Sequence, residues 1–180
     1  MKRLPHIGLR EHKKEVLRVA ISFIRIDDRI IHGQIIIRWS TEYPCDGIIA
    51  VDDKAASNDV IKNALLAAST KKTFIWSREK FRSKMDEAVA SSKNYFVITK
   101  TPDTMAELLV DYGLKVNTGI LNVGPQSARQ NTIQVNKNAD ITREDMASYE
   151  RIHQAGYQIE FQLVPDFTKV RWSDVRQKLL

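Results

Sequence analysis

Val19-Ala20-Ile21-Ser22-Phe23-Ile24-Arg25-Ile26-Asp27-Asp28-Arg29-Ile30-Ile31-His32-Gly33-Gln34-Ile35-Ile36-Ile37 is the stretch on which the architecture turns. Its apolar start reads as a buried strand over about residues 19–26, and the apolar residues after Gly33 read as a helix running to about Thr41, ahead of Pro44. Between them lies a polar loop with two carboxylates, a guanidinium and an imidazole. In an open α/β sheet, ligands bind outside the carboxyl ends of the strands, where a helix N-terminus also offers unpaired N–H groups to an anion. His32 at such a handover is a candidate nucleophile for a phosphoryl group.

Outward from this stretch, short apolar runs alternate with longer amphipathic ones, the pattern of βαβ units. Strands are expected at residues 47–51, 73–76, 95–98 and 120–123, and a half-buried one at residues 157–163. Short strands near Ile133-Gln134-Val135 fit the less regular stretch 126–141. Ser57 is expected to cap a helix reaching Ala68, with Val60, Ala64, Leu65 and Ala68 on its buried face. Ser77 reads as a second cap, and Thr101 followed by Pro102 as a third. Met105, Leu108, Leu109 and Tyr112 form a buried stripe ended by Gly113. Thr142 with Asp145 makes a capping box for a helix to about Ala155, and a last helix starts at Ser173. The expected fold is α/β: an open, mainly parallel twisted sheet with helices on both faces.

The 180 residues suit one domain, and 43% hydrophobic with 28% charged residues is ordinary for a globular protein. No apolar run approaches the ~20 residues of a membrane-spanning helix. Cys45 is the single cysteine, which excludes an intrachain disulfide and suits a reducing cytoplasm. It reads as a small hydrophobe rather than a reactive thiol. The net charge of +6 is concentrated at the start: residues 1–20 hold six basic and two acidic side chains. Residues 1–19 therefore read as a basic N-terminal extension, a mobile tail or a shifted translation start, ahead of one domain over residues 20–180. That tail lacks the apolar segment of a signal peptide.

His32 combines a strand-to-helix loop, a following glycine and nearby Asp27, Asp28 and Arg29. Arginine suits forked contacts with phosphate oxygens. Asp52 and Asp53 end the second strand at the same sheet edge, where helix capping is the simpler role. With Asp27 and Asp28 they leave open a Mg²⁺-dependent phosphatase or a receiver-like domain, although their spacing is not diagnostic. Asn122 and Gly124 close another strand and are typical of turns. His6, His12 and His153 show no metal-ligand spacing. Trp39, seven residues after His32, is the tryptophan that could border the site. A nucleic-acid-binding module led by the basic tail is the remaining alternative.

The segment Phe23 to Trp39, FIRIDDRIIHGQIIIRW, closely resembles the phosphorylation-site motif of the IIB component of mannose/fructose/sorbose-type sugar phosphotransferase systems. The resemblance extends over about residues 20–180 through VDD at 51–53, NVG at 122–124 and Gln162-Leu163-Val164-Pro165, in the family's order. Where that family usually continues NVG with glycine and methionine, this chain has Pro125-Gln126-Ser127. The resemblance implies that His32 is phosphorylated, at Nδ1, by the phosphohistidine of a IIA protein or domain. It would then pass the group to a sugar presented by membrane IIC and IID components, in the cytoplasm and transiently at the inner membrane face. Arg29 and the loop Asp27, Ile30, Ile31, Gly33 and Gln34 are expected to hold the phosphoryl oxygens. Asp28 is expected to orient Arg29 or the imidazole, with Asp52, Asp53, Asn122 and Gly124 in support. No cofactor, metal or nucleic acid is expected, and the sugar and the oligomeric state are left open.

Overall fold

The computed structural model describes residues 19–179; the basic extension lies outside them except for Val19. Its elements, in order, are β1 (Ile21–Ile26), α1 (Gly33–Trp39), β2 (Gly47–Val51), α2 (Asp53–Ser57), α3 (Asp59–Ala67), β3 (Lys72–Trp76), α4 (Arg78–Val89), β4 (Tyr95–Thr99), α5 (Pro102–Ala106), β5 (Ile120–Val123), β6 (Ile133–Asn136), β7 (Ala139–Ile141), α6 (Arg143–Gln154), β8 (Gln158–Phe161), β9 (Val170–Arg171) and α7 (Trp172–Leu179). Among the described residues the main sheet has the order β3-β2-β4-β1-β5-β8-β9, and β6-β7 form a separate antiparallel hairpin. The main sheet is parallel from β3 to β8, and β9 joins it antiparallel to β8.

Both faces are covered, which explains why β1 and β2 are buried throughout. On one face Ile24, Ile26, Val97, Leu121 and Phe161 pack with Phe81 of α4, Met105 of α5, Tyr149 of α6 and Trp172 of α7. On the other, Phe23, Ile48, Phe96 and Ile98 pack with Ile35, Ile36 and Trp39 of α1 and with Ala55 of α2. The chain leaves β1 through α1 toward β2 on one side, and leaves β5 toward β8 on the other. The carboxyl ends of the adjacent strands β1 and β5 therefore flank a topological switch point, where the two outgoing loops diverge and open a crevice.

Several sequence expectations are corrected locally. The stretch after β2 is two helices, and Asn58, not Ser57, caps the longer one: its Oδ1 accepts the Val60 and Ile61 N–H groups at 3.0 and 3.1 Å. Ser57 instead ends α2 and turns its hydroxyl back to the Asp53 carbonyl at 2.8 Å. The inward face of α3 is accordingly Ile61, Leu65 and Leu66, and Val60 is 80% exposed. The helix at Pro102 continues from Glu107 to Asp111 as a π turn, and Gly113 follows at φ +69°. The strand expected over residues 157–163 is β8 and stops at Phe161, and β9, which precedes the final helix, had no clear sequence signal. The Thr101, Ser77 and Thr142–Asp145 caps form as expected.

Candidate functional site

The loop 27–32 is built on Arg25, which the sequence reading passed over. Side chains alternate along β1, so Arg25 stands on the same face as Phe23 and Asp27, beneath α1. It is 2% exposed. Its Nε and Nη2 reach Asp27 Oδ2 at 3.2 and 2.9 Å, and Nη1 donates to Asn122 Oδ1. The remaining N–H directions meet the carbonyls of Gln162 and Leu163, both at 3.3 Å. Its guanidinium carbon lies 5.8 Å from the Trp39 ring centre. Burial draws the Arg25 pKa below its usual value, and the Asp27 charge opposes that pull. A buried charge is tolerated only when paired and hydrogen-bonded, and here both conditions hold. A lone arginine within an apolar strand, two residues before an aspartate, was the available signal.

Asp27 passes this anchorage to the loop. Its Oδ1 accepts the Arg29 N–H at 3.0 Å and faces Arg29 Nε at 3.5 Å. The Arg29 side chain itself is 41% exposed. Ile30 sits at φ +61°, rare for a β-branched residue, with its N–H bonded to the Asp27 carbonyl at 2.9 Å and its side chain buried. Such a conformation costs on the order of 1–3 kcal/mol and persists because its surroundings over-determine it.

His32 is half-buried at the N-cap position of α1, and its side chain caps none of the first-turn N–H groups. Its Nδ1 is buried without a hydrogen-bond partner. A void of about 10 Å³ is lined by His32 together with Arg25, Asp27, Phe23, Ile36 and Trp39. Trp39 thus borders the site as expected, its indole N–H donating to the Leu163 carbonyl at 3.2 Å. Gly33 allows a close approach: a Cβ there would lie 3.0 Å from the Ala68 carbonyl oxygen at the end of α3, a tight contact. Ile31 is buried and Gln34 exposed.

The other candidates divide into near and remote. Gly124 closes the site from β5, since an added Cβ would come within 2.6 Å of Arg25 Cζ and 2.8 Å of Asp27 Oδ2. Asn122 supports Arg25 and donates to the Gln162 carbonyl at 3.2 Å. Asp28, expected to orient Arg29 or the imidazole, hydrogen-bonds neither. Its Oδ2 accepts the Ser127 N–H at 2.9 Å and the Ser127 hydroxyl, and Asp27 holds Arg29 instead. Asp52 caps α2 through Ala55 N–H at 2.7 Å. Asp53 pairs with Arg78 at 2.7 Å, and the Arg78 N–H is the main reason the Asp53 pKa is lowered. Among the described residues no group of three or more such side chains is placed to hold a metal ion.

The arrangement can present an imidazole and a half-exposed guanidinium, both on a rigidly anchored loop, to an anionic group. Residues 21–179 match the family described as PTS system sorbose subfamily IIB component. The PTS system fructose-specific EIIB component of Bacillus subtilis is 28% identical over 147 residues, which cover 81% of this chain and 88% of that protein. The PTS system mannose-specific EIIAB component of Escherichia coli is 27% identical over 164 residues, 89% of this chain and 50% of the relative. The chain thus spans about half the length of the EIIAB relatives it matches. The IIBSor domain of the sorbose permease from Klebsiella pneumoniae shares the fold, with a TM-score of 0.79 at 23% identity over 89% of this chain and 98% of that one. Among the described residues no helix is long and apolar enough to cross a membrane. The chain belongs to the sorbose subfamily of sugar phosphotransferase system IIB components.

Proposed function

We propose that the chain accepts a phosphoryl group on His32 from a phosphorylated IIA protein or domain. It then transfers the group to a sugar hydroxyl presented by membrane IIC and IID components, working from the cytoplasmic side. The observation that carries this reading is the position of His32: it occupies the N-cap position of α1 at the switch-point crevice, with Arg29 on the same Asp27-anchored loop. Phosphoryl transfer depends mainly on positioning and charge stabilisation, and this loop supplies both.

In the first step an imidazole nitrogen attacks phosphorus, and the donor's N–P bond breaks with its electron pair returning to the donor imidazole. Arg29 and the uncapped first-turn N–H groups of α1 are suited to the equatorial oxygens. In the second step the sugar oxygen attacks, the N–P bond of His32 breaks, and the hydroxyl proton is released. The buried, unpartnered Nδ1 adds a requirement. If Nδ1 is the accepting atom, the imidazole must turn about its side-chain bonds to bring that lone pair to the donor. Arg25, Asp27, Asn122 and Gly124 act through the loop as positioning residues.

The test is transfer of radiolabelled phosphate from phosphorylated IIA. Wild type is expected to acquire an acid-labile, base-stable label, and His32→Gln with an unchanged circular dichroism spectrum none. Equal labelling of the two proteins would remove the assignment.

A further inference from the structure

Asp28 and Ser127 belong to different loops, the ones leaving β1 and β5 on the two sides of the crevice. Asp28 Oδ2 takes both donors of Ser127, the N–H at 2.9 Å and the hydroxyl. The Asp28 N–H donates to the Pro125 carbonyl at 3.1 Å. The second loop is itself fixed, because the Gln126 N–H donates to the Asn138 carbonyl and the Gln126 carbonyl accepts the Asp140 N–H, both at 2.9 Å. Ser127 is therefore an exposed residue on an anchored segment, holding a carboxylate that adjoins Arg29 in sequence.

The electrostatics give this contact a purpose. Arg29 already lies beside Asp27, at 3.5 Å and still 41% exposed. If Asp28 also turned toward that guanidinium, two carboxylates would compete with an incoming phosphoryl group for one cation, and the second would repel it. We infer that Ser127 is a positioning residue that ties Asp28 to the second loop and so leaves Arg29 free for phosphoryl oxygens. This rests on His32 being the phosphoryl acceptor. It also gives a role to Pro125-Gln126-Ser127, the segment in which the chain departs from the usual glycine and methionine.

The experiment uses phosphoramidate as a small chemical donor that labels histidine without IIA, with phosphorylated IIA as a second donor. Ser127→Ala is expected to lower the rate at saturating donor about tenfold, the scale of one charge-assisted contact weakened in the transition state. The half-saturating donor concentration and the thermal midpoint should stay near wild type. Ser127→Thr, which keeps both donors, should restore the rate. Asp28→Asn placed on Ser127→Ala should also restore it, because the competing charge is gone. A purely structural tie would not be rescued by that second change. Wild-type phosphoramidate rates in Ser127→Ala, a double variant no faster than Ser127→Ala, or no phosphoramidate labelling of wild type would each overturn the inference. If the expected phosphoramidate pattern appears while phosphorylated IIA labels nothing, the positioning role stands and the IIA donor reading falls.

Discussion

Replacing Arg25 by methionine removes the cation on which the loop rests and leaves the Asp27 carboxylate buried at 3% side-chain exposure. Breaking a buried pair by removing one partner costs about 3–5 kcal/mol, chiefly because the other charge is stranded. The carbonyls of Gln162 and Leu163 and the Asn122 side chain also lose a donor, at about 1 kcal/mol each. These losses overlap, so the expected total is about 4–6 kcal/mol, a large part of the ~5–15 kcal/mol available to a domain. For a chain of this size each kcal/mol shifts the thermal midpoint by about 2–4 °C, so the midpoint should fall by roughly 8–24 °C. Urea denaturation followed by tryptophan fluorescence gives the free energy directly. The decisive comparison is Arg25→Met combined with Asp27→Asn, which removes the stranded charge but keeps an acceptor for the Arg29 N–H. That double variant should recover at least about 2 kcal/mol relative to Arg25→Met, as coupled neighbours do. A loss below about 1 kcal/mol in Arg25→Met, or a double variant that loses the sum of its parts, would refute this account of the buried pair.

Gly124→Ala should cost at least about 2 kcal/mol in urea, since its Cβ falls on the Arg25–Asp27 pair, whereas Gly119→Ala, with nothing within 4 Å of an added Cβ, should change stability by less than about 0.5 kcal/mol. Similar values for the two glycines would show that the loop yields to the intrusion. Asn58→Ala should lose about 1 kcal/mol as the cap of α3, and Ser57→Ala less than about 0.5; the reverse order would restore Ser57 as the cap. Burial pushes the Cys45 thiol from its ordinary 9.0 up to about 11, so its thiolate at pH 8 is about 100-fold scarcer than in the unfolded chain. Iodoacetamide should accordingly alkylate it far more slowly in the folded protein, and a rate within tenfold of the urea-unfolded chain would contradict this. Because the folded pKa is raised, the associated stability is fully present below pH 9 and is lost as pH rises through about 11.

The βαβ alternation, the parallel sheet and the candidacy of His32 were all legible without coordinates, because each depends on local periodicity or on chemistry within one loop. Capping was legible where sequence context left one candidate, as at Thr101–Pro102. It failed at Ser57-Asn58, where two adjacent polar residues compete and the break between α2 and α3 decides between them. β9 is two residues long and paired only with β8, too short to show a period.

The roles of the neighbouring aspartates depended on the tertiary structure. Asp27 and Asp28 are equivalent as sequence, yet alternation along β1 turns Asp27 inward to the buried Arg25, and the loop leaves Asp28 facing Ser127, 99 residues away. Asn122, Gly124, Gln162 and Leu163 acquire meaning only because β5 and the segment after β8 lie on one side of β1. By itself the sequence determined the candidate reactive group and its strand-to-helix setting, which are properties of contiguous residues. Only the tertiary structure decided which partner each neighbouring charge takes, because pairing in a low-dielectric interior depends on which distant segments are brought within hydrogen-bond reach.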